Sequence, residues 1–538
     1  MPTAQVTGLA SGIDWQETIQ LLMQIESQPM VALEQRKENY NSKLEAWQSI
    51  NAKLLTLKSK MEAMDNINEI VTKEATSSDT SVLTASANSA AATGSFSIIV
   101  NQLALNDKWT HEGFTDSNST AVTAAAATFS YDYEGSTYTV NVPAGSTLAE
   151  LAQAINNDVN NPGIQATILN DGTNSATAYH LILSGETGDA NDITNIVHTL
   201  DNFSSLFTET QNAQDAQIRL DGYPPEPAWI LSASNEVTDV ISGVTLNLKT
   251  TSTEAVTVTI TNDTDAAKKK IEDFVSAYNE VIALINSNVA YNADTQTAGV
   301  LFGDASVIGI KSDLQSIIAS TIPGLTDNAV YKSLSEIGIK SGTGGLLTIT
   351  DSKLTSALEN DINSVGNLFA LSNTSSNNNL TYFLSNNATQ GGVYNVVANF
   401  DESGNLLNTS TINGHPVQIQ GEYLVGMEGY PEEGLRIKFT YPGGGAGTET
   451  AEIRVAKGDA VRIEDRVAFL TDPLDGTVKY AQEGIQDTIE SIDNQIAQWE
   501  ARLEIKQAQL ERQFTAMETL ISQLQGQGNY VSAMISSL

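Results

Sequence analysis

Large apolar side chains near the C-terminus recur at the spacing of an amphipathic helix. The steps between them alternate mostly between three and four, which predicts one long helix with a single apolar seam. The seam residues are Ile485, Ile489, Ile492, Ile496, Trp499 and Leu503, and then Leu510, Phe514, Met517, Ile521 and Leu524. Proline does not occur after Pro473, and we expect Gly526 and Gly528 to end the helix.

A second seam of the same kind lies near the N-terminus. Its residues are Leu33, Tyr40, Leu44, Trp47, Leu54, Leu57, Met61 and Met64. They predict a helix from about Pro29 to Asn66, preceded by a short helix that begins at Asp14. Two matching seams at opposite ends of the chain predict that the ends pair and that the remainder is inserted between them. The alternative is that two unrelated amphipathic helices pack on separate cores.

Between the two seams the apolar period falls to two, which is typical of strands. The predicted strands include 95–100, 129–133, 138–142, 164–169, 179–183, 237–248 and 255–260, with a short helix at 148–155. A helical period returns at Ala266, and a second β stretch follows at 385–460. The predicted fold class is therefore a multidomain α+β protein. Its terminal helices pair as a coiled-coil-like leg, and β-rich head domains are inserted between them.

The charge distribution supports that division. The 538 residues carry a formal net charge of −37 at pH 7. Residues 1–75 contain ten acids and seven bases, and residues 483–538 contain eight acids and three bases, so the middle of the chain carries −29. So negative a protein is a poor ligand for nucleic acid or an anionic membrane, and we expect neither as a partner. No apolar stretch approaches the length of a membrane span.

Candidate catalytic chemistry is sparse. The chain has no cysteine, and its four histidines, His111, His180, His198 and His415, lack the spacing of metal ligands. Glu186, Asp189 and Asp192 do not follow a calcium-loop pattern, and no Gly-x-Ser-x-Gly motif occurs. The basic run at 268–270 is typical of a solvated helix start, although it could meet an acidic neighbouring subunit. We expect no enzyme activity, no metal and no cofactor.

Several short motifs, in order, resemble one known family. Residues 6–14 (VTGLASGID), with Glu26 and Pro29, resemble the N-terminal signature of the flagellar filament cap (hook-associated protein 2) family. Residues 138–155 and 185–193 resemble a repeat found inside flagellins and hook-associated proteins. Further similar motifs are 216–248, 301–304 (LFGD), 334–339 and 513–518. The resemblance covers nearly the whole chain, and 385–460 departs from the shortest family pattern.

The resemblance implies a structural protein at the distal tip of the bacterial flagellum. Copies of the chain would form a ring, a pentamer on the filament, that promotes flagellin folding and polymerisation and prevents monomer leakage. The implied partners are the chain itself, flagellin, hook–filament junction proteins and an export chaperone. Secretion would pass through the flagellar type III apparatus, in agreement with the absence of a visible Sec-type signal. The sequence does not determine the number of subunits.

The resemblance and the patterns together predict domains and sites. The domains are terminal filament-engaging segments at 1–32 and 512–538, a helical leg domain at 33–75, 264–384 and 461–511, a β-rich head domain at 76–108 and 216–263, an inserted flagellin-repeat-like head domain at 109–215, and an additional β insert at 385–460. The expected filament or subunit contacts are Val6, Leu9, Ile13, Leu22, Ile25, Phe514, Met517, Ile521, Leu524, Tyr530, Met534 and Leu538. The expected leg seam is Leu44, Trp47, Leu54, Leu57, Met61, Ile489, Ile492, Ile496, Trp499 and Leu503.

Two other classes of protein remain open from the residues alone. A secreted adhesin would carry its function in the β modules and would not need paired helical ends. An intracellular coiled-coil scaffold would leave the β insertions without a role. Size-exclusion chromatography and electron microscopy of the purified protein would separate these classes. Rings would favour the cap and extended dimers would favour the scaffold, whereas monomers that bind host glycans would favour the adhesin.

Overall fold

The computed structural model describes Gly12 and residues 14–536. The chain divides into a terminal unit, Met1–Ile70 with Asp265–Leu538, and an inserted unit, Val71–Thr264. The helices of the described residues are α1 Trp15–Glu26, α2 Gln28–Glu62, α3 Ile67–Ile70, α4 Leu148–Asn156, α5 Thr264–Val289, α6 Ala305–Ala319, α7 Asp351–Gly366, α8 Asp459–Leu470 and α9 Thr477–Ser536. Helices at both ends with β-rich segments between them confirm the predicted fold class.

The first two helices form an almost continuous rod. The side chain of Asp14 caps α1 by accepting hydrogen bonds from the backbone N–H groups of Gln16 and Glu17, at 3.0 and 3.2 Å. Only Ser27 separates α1 from α2, and its N–H donates to the carbonyl of Met23 at 2.9 Å. Pro29 is tolerated because it lies in the first turn of α2, where its missing N–H has no helical partner.

The two halves of α2 have different neighbours. The N-terminal half runs antiparallel to α9, because Lys37 pairs with Asp493 at 2.6 Å while Lys506, further along α9, pairs with Glu26 at 3.6 Å. The C-terminal half packs in a bundle with α5, α6 and α8. Its ion pairs there are Lys53–Glu280 at 2.7 Å, Lys60–Asp273 at 3.0 Å and Lys58–Glu464 at 3.7 Å.

The basic run at 268–270 lies at the start of α5, and its three lysines have ion-pair or hydrogen-bond partners within the terminal unit. Lys268 pairs with Asp351, and Lys269 pairs with Asp273 at 3.4 Å. Lys270 donates to the backbone carbonyl of Ala63, the residue directly after α2, at 3.3 Å and to that of Glu69 in α3 at 2.6 Å. A cation at that position stabilises the negative end of the α2 dipole.

The inserted unit contains two cores, one nested in the other. Its strands are β1 Lys73–Ser77, β2 Leu83–Ala87, β3 Gly94–Gln102, β4 Asn106–His111, β5 Ala127–Tyr133, β6 Ser136–Val142, β7 Gln165–Asn170, β8 Tyr179–Thr187, β9 Thr194–His198, β10 Phe207–Gln211, β11 Ala216–Leu220, β12 Ile230–Ser232, β13 Glu236–Ile241, β14 Val244–Leu248 and β15 Val256–Asn262. The sheets β1-β15-β3-β11-β12 and β13-β14-β2 enclose one core. The sheets β10-β4-β8-β7 and β6-β5-β9 enclose the other with α4, which has a Thr147–Glu150 capping box. Strand β1 begins inside 33–75, so the expected end of the leg segment at residue 75 was too late.

The second β region is larger than the sequence suggested. The remaining strands are β16 Tyr291–Asn292, β17 Thr297–Ala298, β18 Ile339–Ser341, β19 Leu347–Ile349, β20 Leu371–Ser375, β21 Leu380–Leu384, β22 Gly392–Phe400, β23 Thr411–Ile412, β24 His415–Gln420, β25 Tyr423–Gly426, β26 Arg436–Phe439 and β27 Gly447–Lys457. The last eight form one antiparallel sheet, ordered β20-β27-β22-β23-β24-β25-β26-β21, around a single core. We call Leu371–Lys457 the β module. The expected boundary at residue 385 was wrong, because β20 and β21 lie before it and pair with β27 and β26.

Candidate interaction surface on the terminal helices

Helix α1 packs on the distal part of α9 through an aromatic contact. The rings of Trp15 and Phe514 stack with centroids 4.4 Å apart and an interplanar angle of 25°. The indole Nε1–H of Trp15 donates to Oε1 of Glu518 at 2.5 Å, and Ile19, one turn further along α1, is buried. Because Glu26 also meets Lys506, α1 lies antiparallel to α9. One face of each helix is therefore already covered within the chain.

The expected contact residues fall into three groups. Leu22, Ile25, Met517, Leu524, Tyr530 and Met534 are exposed. Phe514 and Ile521 are half-buried, so Phe514 supports α1 rather than offering a free surface. Val6, Leu9, Ile13 and Leu538 lie outside the described residues.

The end of α9 carries an exposed apolar stripe. Its residues are Met517, Leu520, Leu524, Val531 and Ile535, all exposed, and we call them the distal stripe. Their spacings of three, four, seven and four place them on one side of a helix. The helix continues through Gly526 and Gly528 to Ser536, contrary to the expected end at these glycines. Each glycine costs a helix only about 1 kcal/mol relative to alanine, and no proline interrupts the segment.

Charge is nearly absent from this end of the helix. Glu518 is the one charged residue between positions 513 and 536 of a chain whose net charge is −37. Apolar docking removes neighbouring groups from water, and an uncharged segment avoids the desolvation cost that carboxylates or ammonium groups would add. The distal stripe is thus suited to burial against an apolar surface.

The expected leg seam divides between two environments. Trp47, Leu54, Leu57 and Met61 are fully buried, and the Trp47 indole donates to Asp304 at the start of α6 at 3.3 Å. Ile489 and Ile492 are buried, whereas Leu44, Ile496, Trp499 and Leu503 are half-buried. The antiparallel register places Ile496 and Leu503 opposite the N-terminal half of α2. The residues of the expected seam are thus distributed over two stretches of α2 and α9, and their joint role in the leg stays a prediction.

Two features of the site were missed although the sequence carried a signal for them. Ile50 is fully buried and completes a three–four alternation from Trp47 to Met64. Leu520 belongs to the distal stripe, four residues before Leu524. Helix α8 was also missed: Ala460, Val461, Ile463, Val467 and Leu470 are buried at helical spacing, but the segment is short and follows a strand directly.

The structure brings three of the four histidines together in the inserted unit. The Nε2 atoms of His111 and His198 each lie 3.0 Å from the carbonyl oxygen of Ser204, and Nδ1 of His180 lies 2.9 Å from the carbonyl oxygen of His111. The N–H of Gly113 donates to Nδ1 of His111 at 3.1 Å, and burial lowers the pKa of His111. Both ring nitrogens of a neutral His111 are therefore satisfied by the backbone.

No set of three or more His, Asp or Glu side chains in residues 14–536 is arranged to hold a metal ion. Within the same residues, no helix has both the length and the hydropathy required to span a bilayer.

Comparison with known proteins identifies the family. The family model for the C-terminus of flagellar hook-associated protein 2 matches residues 213–526, the model for its N-terminus matches 11–107, and the flagellin hook IN motif matches 128–187. The A-type flagellar hook-associated protein 2 of Pseudomonas aeruginosa is 24% identical over 99% of this chain and 97% of its own length. The flagellar hook-associated protein 2 of Escherichia coli K12 is 27% identical over 68% of this chain and 80% of its own.

One solved structure is also similar to part of this chain. The crystal structure of the D1-D2-D3 domains of the flagellar cap protein FliD from Escherichia coli is 28% identical, covers 60% of this chain and 89% of its own, and has a TM-score of 0.49. The family models for the two ends of hook-associated protein 2 together match more than half of the sequence. The chain therefore belongs to the flagellar hook-associated protein 2 family.

Proposed function

We propose that the chain is a structural, non-catalytic cap at the distal end of the bacterial flagellar filament. Copies form a ring, a pentamer on the filament, beneath which flagellin folds and polymerises without leaking away. Its partners are other copies of the chain, flagellin, the hook–filament junction proteins and an export chaperone. The chain reaches the tip through the flagellar type III apparatus. Membership of the hook-associated protein 2 family supports this role.

The distal stripe is the observation that carries the proposal. Five exposed apolar residues lie on one side of a helix end that carries a single charged residue, while the rest of the chain is strongly acidic. An exposed apolar surface of this kind is typical of a binding site for another protein. In the proposed cap, the distal stripe and the exposed Leu22 and Ile25 of α1 bury against the end of the filament.

The test changes the stripe without disturbing the helix packing. Leu520→Asp and Leu524→Asp place charges on exposed positions, so the free protein should retain its helical content and its melting temperature. Burying one leucine contributes about 1.5–3 kcal/mol, so each change should weaken attachment to filament ends at least tenfold. Strains that carry either variant should release flagellin monomers into the medium and swim poorly.

Ile505→Asp is the matched control, because Ile505 is also exposed on α9 but lies outside the distal stripe. That strain should swim normally and retain its flagellin. Electron microscopy of the purified protein and of filament tips should reveal rings. Normal swimming of the Leu520→Asp and Leu524→Asp strains, or a tip without this protein, would refute the proposal.

A further inference from the structure

One backbone carbonyl in the inserted unit accepts hydrogen bonds from two histidines. Nε2 of His111 and Nε2 of His198 each lie 3.0 Å from the carbonyl oxygen of Ser204, and we call these three residues the Ser204 cluster. His111 ends β4 and His198 ends β9, and these strands belong to the two sheets that enclose one core with α4. The carbonyl group of Ser204 therefore links the two sheets.

The contacts of both histidines require the same tautomer. A carbonyl oxygen only accepts hydrogen bonds, so Nε2 of each ring must carry a proton. The backbone N–H of Gly113 donates to Nδ1 of His111 at 3.1 Å, and the backbone N–H of Leu200 donates to Nδ1 of His198 at 3.3 Å. Nδ1 of each ring is therefore unprotonated, and both imidazoles are neutral.

A second proton on either ring would break one of these hydrogen bonds. A protonated Nδ1 is itself a donor, and it would face a backbone N–H that is also a donor. The other two histidines lack this constraint, because Nε2 of His180 lies 3.3 Å from Asp171 and Nδ1 of His415 lies 2.5 Å from Glu432. A nearby carboxylate stabilises a charged imidazole.

The Ser204 cluster lies where the connection between β9 and β10 covers the core. The ring of Phe203, in this connection, is buried and stacks on the ring of His111, with centroids 3.8 Å apart and an interplanar angle of 9°. Leu200, in the same connection, is also buried. If the two hydrogen bonds to Ser204 were lost, these two apolar side chains would be free to leave the core.

The surroundings of His111 favour its neutral form. Its titratable neighbours are Glu112, which is next in the chain, His180 on β8 and His198 on β9, while β10 presents the ring of Phe207 to it at 5.1 Å. Burial has the largest effect and lowers the pKa of His111, whereas Glu112 opposes this shift. A histidine with a lowered pKa stabilises the folded state fully above its ordinary pKa of about 6.5, and this stabilisation is lost as the pH falls.

His198 is half-buried, so solvent protons reach it more easily than they reach His111. Strand β5 presents the ring of Phe129 to it at 6.0 Å, and the connection presents Phe203 at 5.5 Å. Asp201, also in the connection, accepts a hydrogen bond from the backbone N–H of Ala124 at 2.8 Å.

We propose that the Ser204 cluster is an acid-sensitive closure of the inserted unit, in which a second proton on His111 or His198 opens the connection between β9 and β10 and exposes Leu200 and Phe203. The inference does not depend on the filament role proposed above. A histidine that binds the proton with its ordinary pKa only in the open form multiplies the open population by 1 + 10^(6.5 − pH). This factor rises about 25-fold from pH 7 to pH 5 for one histidine and about 600-fold for two.

NMR of the full chain with 15N- and 13C-labelled histidine tests the tautomers. At pH 8 the rings of His111 and His198 should carry the proton on Nε2 and none on Nδ1. The signals are assigned from spectra of His111→Gln and His198→Gln. A proton on Nδ1 of either ring at this pH would overturn the proposal.

Hydrogen exchange of the full chain at pH 7 and pH 5, corrected for the pH dependence of intrinsic exchange, measures the opening. Peptides that cover 111–114 and 199–206 should lose protection by between about 25-fold and about 600-fold. Residues 216–220 of β11, which belong to the other core of the inserted unit, should keep their protection. Unchanged protection at 199–206, or an equal loss at 216–220, would refute a local closure.

Single substitutions then show which rings bind the proton. His111→Gln and His198→Gln each remove one titrating ring, so the ratio of protection between the two pH values should fall to at most about 25-fold. This ratio remains the readout even where a variant lowers protection at both pH values. His180→Gln and His415→Gln are the matched controls and should keep the wild-type ratio. If His180→Gln lowers the ratio as much as His198→Gln does, the Ser204 cluster is not the closure.

Discussion

Asp459 is the charged side chain whose burial has the clearest energetic consequence. It is fully buried at the start of α8, its Oδ1 accepts from Arg462 at 3.0 Å, and its Oδ2 has no hydrogen-bond partner. Burial raises its pKa from 3.8 to about 7, and the nearby arginine lowers it less. A carboxyl group that holds its proton more tightly when folded favours the folded state at low pH.

The first prediction concerns Asp459→Asn. In the wild type the contribution of Asp459 to stability should fall as pH rises from about 4 to about 7, because the unfolded chain loses the proton at lower pH than the folded one. Asparagine does not ionise, so the variant should gain stability relative to the wild type over this interval, by at most about 4 kcal/mol. Urea unfolding of the terminal unit at pH 4.5 and pH 8 measures the difference.

Asp401→Asn provides a control of opposite sign. Hydrogen bonds from Asn405 lower the pKa of this exposed loop carboxylate. The ionised Asp401 side chain stabilises the folded state at pH values above its pKa in the unfolded chain, and this stabilisation is lost as the pH falls. Asp401→Asn should therefore be less stable than the wild type at pH 8 but not at low pH. An unchanged difference between Asp459→Asn and wild type at the two pH values would show that Asp459 does not hold the extra proton.

The pairing of α2 with α9 depends on a short buried stretch of α9. Ile492 is 1% exposed and Ile505, further along the same helix, is 65% exposed. The second prediction is that Ile492→Asp destabilises the terminal unit by about 2–4 kcal/mol, because it buries a carboxylate in an apolar contact. Ile505→Asp should change the unfolding free energy by less than about 0.5 kcal/mol. Aspartate at half-buried Ile496 or Leu503 should lower the unfolding free energy by an intermediate amount. Equal losses for Ile492→Asp and Ile505→Asp would contradict the pairing of α2 with α9.

Periodicity identified these helices because it depends only on local spacing. It could not reveal what covers each seam. Trp47 and Ile496 follow the same spacing, but Trp47 is enclosed by α6 and its neighbours, whereas Ile496 faces the N-terminal half of α2. Strand β20 was missed because its sequence, LSNTS, has no apolar alternation and its order comes from pairing with β27, far along the chain. The distal stripe was partly predictable from local spacing alone.

The β module is joined to the helices at two adjacent points. Leu371 pairs directly with Lys457, so the chain enters and leaves the module on neighbouring strands. The third prediction is that replacing residues 373–455 with a short Gly/Ser linker leaves α2, α5 and α9 folded, because closing so short a gap costs only a few kcal/mol. Circular dichroism and thermal unfolding of the shortened chain measure this.

Deleting 385–460 instead should disrupt the terminal unit. That deletion removes the start of α8 and leaves β20 and β21 without the strands that pair with them. Swimming should persist in a strain with the 373–455 replacement if the filament contact lies on the distal stripe. A shortened chain that loses its helical signal would show that the β module is required for the helices to fold.

The net charge of the whole chain governs how copies approach each other. Each copy carries −37, and the central part of the chain contributes −29 of it, so copies in the proposed ring would repel one another over distances comparable to the Debye length. That length falls from about 30 Å at 0.01 M salt to about 8 Å at 0.15 M, whereas close or buried ion pairs are screened much less. Salt should therefore remove more repulsion than attraction.

The last prediction follows from that balance: self-association should strengthen as sodium chloride is raised from about 10 to about 150 mM, a range over which the Debye length falls below the dimensions of a domain. Analytical ultracentrifugation at several salt concentrations measures the association constant. Tetramethylammonium chloride should act like sodium chloride, because the cause is screening rather than a bound metal ion. If association instead weakens as salt is raised, exposed contacts between unlike charges outweigh the repulsion between whole molecules. The net charge of −37 would then not be what limits assembly.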